Sequence, residues 1–223
     1  MIDWQHIDTV LLDMDGTLLD LYFDNHFWLE HLPAQYAKTH NLTLEQAKAF
    51  LYDEFTAHQG TLNWYCLDFW TEQLGFNVAA LKNDVAHLIS PRPNAITFIQ
   101  NIKASGRRAI MVTNAHRKSL ELKLEHTEME RHFDSIISSH DFGLPKEDTL
   151  FWDILSQETL YNGRNTLLID DNILALRAAK QAGIKHTLAI LRPDSSKPPV
   201  DTEEFVPLDC FSSIMPPPLS RHT

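Results

Sequence analysis

The residue types best suited to chemistry fall in four short segments of this 223-residue chain. Asp13-Met14-Asp15-Gly16-Thr17 sets two carboxylates one residue apart, and Gly16 lets the chain turn sharply behind them. Both carboxylates can approach one hard cation, whose preferred ligands are oxygens. Thr113-Asn114 offers a hydroxyl and an amide, groups suited to phosphate oxygens. Lys146 supplies a cation on a segment that Pro145 biases toward extended geometry. Asp170-Asp171 places two acids in succession after an apolar run, which costs stability unless something positive faces them. Carboxylates, one lysine and a hydroxyl of this kind point to cation-assisted chemistry on a phosphate group.

The elements that would position these residues can be read from the hydrophobic pattern. Short apolar runs at residues 7–12, 109–112, 135–138, 166–169 and 187–191 read as strands buried on both faces. Helical spacing fills residues 119–129, 149–159 and 173–182, with Gly183 as a stop for the last. Strands alternating with helices predict an α/β fold, a doubly wound parallel sheet with its ligand crevice at the carboxyl ends of the strands. The four chemical segments sit at or just beyond those ends. From residue 18 to about 90 no strand is expected. Thr43-Leu44-Glu45-Gln46 has capping-box spacing, residues 62–74 are densely aromatic, and 78–89 form another short helical stretch. Pro91 and Pro93 close the interval. The expected organisation is a catalytic core of residues 1–18 and 91–192, an inserted α-helical cap at 19–90, and an arm at 193–223. That arm carries Pro193, Pro198, Pro199, Pro207 and Pro216-Pro217-Pro218 of the 11 prolines and is expected to be loosely ordered.

The ordered set Asp13-x-Asp15-Gly16-Thr17, Thr113-Asn114, Lys146 and Asp170-Asp171 resembles the haloacid dehalogenase superfamily. A helical insertion directly after the first motif is similar to the subclass with an α-helical cap. The resemblance implies Mg2+-dependent phosphoryl transfer through an aspartyl-phosphate. Asp13 would be the nucleophile, and Asp15 the general acid and then base. Thr113, the Asn114 backbone and Lys146 would hold phosphate oxygens. The implied metal ligands are Asp13, Asp15 and Asp171, with Asp170 orienting Lys146, although swapped roles for the last two acids stay open. Leu174 and Ala175 stand where many members carry a further acid. Dehalogenation is disfavoured because haloacid dehalogenases proper lack the second carboxylate of the first motif. Asp24-Asn25-His26-Phe27-Trp28, the string from Thr61 to Asp68, the string from Lys123 to Thr127, and Phe142-Gly143-Leu144-Pro145-Lys146-Glu147-Asp148 resemble the bacterial GMP/IMP nucleotidase group. The implied substrate is a small phosphomonoester, a purine nucleoside 5′-monophosphate. Alternatives are a sugar-phosphate phosphatase, a phosphomutase, and a regulatory binding protein without turnover.

Each of these residues also has an ordinary structural use. Asp-Gly marks turns, paired acids suit helix N-termini, and Thr113-Asn114 can cap a helix. Trp64, Tyr65, Phe69 and Trp70 can stack on a purine or form the insertion's own core. Asn25, Asn63 and Asp68 can read a base or ribose, or lie on a helix surface. Arg92 can reach phosphate or serve as a hinge residue.

Composition narrows the classes further. Thirty acidic residues against 19 basic ones give a net charge of −11, which disfavours nucleic acid as a partner. The seven glycines form neither common Gly-rich nucleotide loop, which argues against nucleotide-loop ATPases and dinucleotide dehydrogenases. No apolar window is long enough to span a membrane, and the N-terminus carries no signal-peptide pattern. Cys66 and Cys210 follow no ligand spacing, and no zinc site is expected from the 12 histidines either. A cytoplasmic protein with free thiols and no obligate protein partner is the expectation.

Overall fold

The computed structural model describes residues 2–217. β1 (Thr9–Leu12) is buried at all four positions because strands flank it on both edges and helices cover both faces. It pairs in parallel with β2 (Arg108–Thr113) on one side and β4 (Thr166–Asp170) on the other, so that Leu11 lies level with Ile110 and Leu168. β3 (Ser135–Ser138) extends the sheet beyond β2, and β5 (His186–Ile190) extends it beyond β4. With β6 (Val206–Leu208) at the far edge, the strand order is β3-β2-β1-β4-β5-β6, and every pairing is parallel. Chain order reverses direction between β1 and β4, which makes their carboxyl ends the switch point where such sheets open a crevice.

Alternate strand residues feed two cores. Val10, Leu12, Met111 and Ile169 pack with Phe98 and Ile102 of α7 (Ala95–Ala104), whereas Leu11, Ile110, Val112 and Leu168 pack with Phe151, Trp152 and Leu155. Those three aromatic and aliphatic residues come from α9 (Thr149–Thr159), and Ala175, Leu176 and Ala179 of α10 (Ile173–Gln181) join them. α8 (Arg117–Thr127) connects β2 to β3.

Between β1 and β2 the chain is helical apart from its connections. It runs through α1 (Tyr22–His26), a π-helical turn (Phe27–His31), α2 (Leu32–His40), α3 (Leu44–His58), α4 (Leu62–Tyr65), α5 (Leu67–Leu74) and α6 (Val78–Asn83). Thr43 and Gln46 form the capping box that starts α3, each side chain taking the other's backbone N–H at 3.2 and 2.9 Å. The aromatic stretch 62–74 is not one helix. Cys66 takes an extended backbone between α4 and α5 and caps the second with its sulfur. The two ends of the insertion lie side by side, with the Arg92 N–H donating to Leu18 O at 2.8 Å and the Asp20 N–H to Ser90 O at 2.9 Å.

The expectation of a loose C-terminal arm needs correction. β6 (Val206–Leu208) pairs with β5, and Phe211 stacks on Phe98 with ring centroids 4.9 Å apart. Pro207 is tolerated because β6 is the edge strand, where a missing N–H leaves no ladder bond unmade. Pro218 and the residues after it lie outside the described residues.

Candidate active site

The carboxyl ends of β1, β2 and β4 bring the sequence-predicted residues to one place. Lys146 arrives there from the loop after β3. Its backbone N–H donates to Asn114 Oδ1 at 2.9 Å, and its carbonyl accepts from Trp152 Nε1 at 2.7 Å. Its ammonium is buried and donates to Asp13 Oδ1 at 2.6 Å and Asp170 Oδ2 at 2.7 Å. Burial alone would depress the Lys146 pKa, but the two carboxylates outweigh it and push the pKa up, so the side chain stays charged.

Asp170 has both oxygens engaged, because Oδ1 also accepts the Asn172 N–H at 2.9 Å. Its other oxygen, Oδ2, holds the Lys146 ammonium. Asn172 caps α10 through its own side-chain oxygen and donates Nδ2 to Glu147 Oε1 at 2.7 Å. Glu147 is a hub that sequence reasoning missed. It also accepts from Asn114 Nδ2 at 2.8 Å and from the Tyr65 hydroxyl at 2.6 Å, which ties the insertion to the core. The Asn114 side chain is thereby committed to Lys146 and Glu147. Thr113 is buried, and its hydroxyl oxygen accepts the Ala115 N–H at 3.0 Å.

Carboxylate oxygens of Asp13, Asp170 and Asp171 lie within 4.8 Å of one another. Asp13 Oδ2 is buried with no hydrogen-bond partner. Burial raises the Asp13 pKa to about 7, against the pull of Lys146 and with Asp170 adding to the rise. Burial, then the charges of Asp13 and Asp170, hold Asp171 well above the usual carboxylate range. Three crowded carboxylates facing one lysine leave a local excess of negative charge, and an all-oxygen donor set fits a hard divalent cation such as Mg2+.

Asp15 does not join that group, contrary to the expectation that it would share the metal. Lys123, buried on α8, donates to Asp15 Oδ1 at 2.6 Å and to Asp24 Oδ2 at 2.7 Å. Lys82 of α6 takes the other Asp24 oxygen at 2.7 Å and Ser119 Oγ at 3.0 Å, with its ammonium 5.2 Å from the centroids of Phe23 and Phe27. Although burial works to raise the Asp24 pKa, Lys123 and Lys82 hold it down to about 2. Asp15 is raised to about 6, by burial first and the neighbouring Asp24 charge second. The chain Asp15–Lys123–Asp24–Lys82 runs from the core (Asp15, Lys123) into the insertion (Asp24, Lys82) and joins the two. Its one sequence signal is a lysine in the same helical register as buried Leu120 on α8.

Asp15 opens into a cavity of about 300 Å³ whose walls include Asp24, Asn25, Trp28, Trp64, Tyr65 and Ser119. Trp70 touches this cavity but belongs chiefly to the insertion's core, packed edge-on against Phe55 at 5.0 Å, and Phe69 packs beside it. Trp64 and Tyr65 are half-buried on the cavity wall. Asn25 donates to Asp194 Oδ2 at 2.6 Å, Asn63 is exposed, and Asp68 pairs with Lys118. Arg92 donates to the carbonyls of Arg192 and Pro193 and fastens the loop after β5 rather than reaching the carboxylates.

Comparison with known proteins gives the family of the chain. The profile of the haloacid dehalogenase-like hydrolases matches residues 7–183. The chain is 40% identical over 215 residues to the GMP/IMP nucleotidase YrfG of Escherichia coli (strain K12), covering 96% of this chain and 97% of that one. The protein of the same name from Shigella flexneri matches equally. Among solved structures, a HAD phosphatase from Thermococcus onnurineus superposes with a TM-score of 0.78 at 16% identity, over 93% of this chain and 96% of that one. L-2-haloacid dehalogenase from Xanthobacter autotrophicus gives 0.57 at 15% identity, over 85% and 80%. No helix among the described residues is long and apolar enough to cross a membrane. By its matched span, its parallel sheet and the residues gathered at the carboxyl ends of the strands, the chain belongs to the haloacid dehalogenase-like hydrolase family.

Proposed function

We propose that this protein is a phosphomonoester hydrolase working through an aspartyl-phosphate, with purine nucleoside 5′-monophosphates such as GMP and IMP as substrates. The observation that supports it most is the join between two unlike spaces. Asp13 faces Lys146 among buried carboxylates, while Asp15, two residues on, faces a cavity walled by Trp28, Trp64 and Tyr65. A molecule filling both would carry an anion at one end and a flat, partly apolar group at the other. The name of the 40% identical relative is consistent with that shape.

In this reading Asp13 attacks phosphorus with a carboxylate oxygen, forming an O–P bond as the ester P–O bond breaks. Asp15 gives its proton to the departing alkoxide, which leaves as the nucleoside. Asp15 then takes a proton from water whose oxygen attacks phosphorus, and the bond to Asp13 breaks to free phosphate. Lys146, the Asn114 backbone N–H and the Thr113 hydroxyl hold the phosphoryl oxygens throughout. Asp13 and Asp171, with Asp170 beside them, would hold Mg2+, which when bound supplies positive charge against the repulsion between carboxylate and phosphate. Lys123 keeps Asp15 at the mouth of the cavity.

Phosphate release in the presence of Mg2+ across purine nucleotides, pyrimidine nucleotides and sugar phosphates tests this. We expect kcat/KM for GMP and IMP to exceed the others by about tenfold or more. Equal turnover of sugar phosphates would reject the purine assignment, and absence of phosphate release from every substrate would reject the hydrolase.

A further inference from the structure

A second group of potential ligands lies outside the carboxylate centre, where the insertion meets the core. Cys66 separates α4 from α5, His116 caps the start of α8, and His140 sits in the short turn after β3. One ligand atom from each lies within 4.8 Å of the other two. The three come from separate segments, which is why no ligand spacing is visible along the chain.

His116 and Cys66 each also cap a helix, and the surroundings of His140 suit a metal ligand. His140 Nε2 is buried and has no hydrogen-bond partner. Burial lowers the pKa of both rings, His140 to about 4 with His116 beside it adding to the fall, so both are neutral at pH 7. The rings stand perpendicular with centroids 5.0 Å apart. Cys66 Sγ accepts the Phe69 N–H at 3.4 Å. His116 Nε2 lies 3.7 Å from Oδ2 of Asp68, which pairs with Lys118 and stands outside the group of three but near enough to balance part of a cation's charge.

We propose that Cys66, His116 and His140 form a site for a divalent transition metal, Zn2+ by the chemistry of its donors, which fastens the helical insertion to the core. A thiolate with two imidazoles favours zinc over Mg2+, which prefers oxygen. Tetrahedral ligands at zinc bond lengths stand roughly 3.5 Å apart, so atoms within 4.8 Å of one another need to draw in by at most about 1.3 Å. His116 also lines the substrate cavity, so metal bound here would restrain the cavity's wall. The inference is independent of how the carboxylate centre works.

Titration of the full-length protein with Co2+, in saturating Mg2+ to keep the carboxylate centre filled, tests the site. The wild type should bind one equivalent, with tetrahedral visible bands and a near-ultraviolet thiolate-to-cobalt band, and Zn2+ should bleach both. Cys66→Ser, a near-isosteric change, should lose the thiolate band, and His140→Ala should weaken binding at least about tenfold, or 1.4 kcal/mol. A wild type without the thiolate band, or a Cys66→Ser protein with the wild-type spectrum and affinity, overturns the proposal.

Discussion

Lys123 shows how a single buried side chain can set the state of a residue in the active site. It is fully charged where it lies, because burial, which disfavours the ammonium, is outweighed by Asp15 and Asp24 and its pKa is raised. Removing one partner of a buried ion pair is costly since the remaining charge keeps its desolvation without its counter-charge. In Lys123→Met, Asp15 would face Asp24 with nothing between them. We expect denaturant unfolding to show a loss of about 3 kcal/mol, the lower end of the usual range because Asp15 keeps some contact with solvent. Turnover should fall as well, since Asp15 loses the bond that aims it. Unchanged stability in Lys123→Met would mean that the pair contributes nothing.

At the scale of elements, the turn after β1 is a tight junction between two distant segments. Gly16 has φ +78°, a left-handed conformation, and a Cβ there would collide with Asp171 Oδ2 and stand 2.7 Å from Asp171 Cγ. A side chain at this position would therefore displace a proposed metal ligand as well as strain the backbone. Gly16→Ala should lose about 1–3 kcal/mol of stability and, through misplacement of Asp171, about 100-fold or more in kcat. Wild-type kcat in Gly16→Ala would show that Asp171 is not needed where it stands. The close approach of Gly16 to Asp171 was invisible in sequence, although both motifs were legible, because 154 intervening residues separate them. β1 to β5 were legible from their apolar runs, most plainly where burial on both faces makes the run continuous, as in Val10-Leu11-Leu12. β6 was not, since a three-residue edge strand with Pro207 at its centre has no pattern to display. The Asp13-x-Asp15 spacing suggested a shared cation, yet the two acids diverge because Lys123, 108 positions from Asp15, claims the second. Sequence spacing reports which groups are near along the chain, whereas burial of charge is decided by distant partners.

At the scale of the whole molecule, the net charge of −11 is less informative than where its uncompensated part lies. Lys82, Lys123 and Lys146 are all buried against carboxylates, so three of the basic residues serve the interior. Even so, Asp13, Asp170 and Asp171 share only Lys146, and their mutual repulsion works against the folded state when no cation is present. A ligand that binds only the folded chain stabilises it by RT ln(1 + [L]/Kd), about 2.7 kcal/mol at a hundredfold excess over Kd. For a chain of this size each kcal/mol moves Tm by roughly 2–4 °C. Mg2+ at that excess should therefore raise Tm by about 5–10 °C in the wild type. Asp171→Asn removes one repelling charge and one ligand together, which gives the prediction a sign in each condition. Without Mg2+ the variant should melt above the wild type, and with Mg2+ it should melt below it. Differential scanning calorimetry of both proteins, with EDTA and with Mg2+, reads all four values. Melting curves that keep the same order in both conditions would show that Asp171 does not hold the cation.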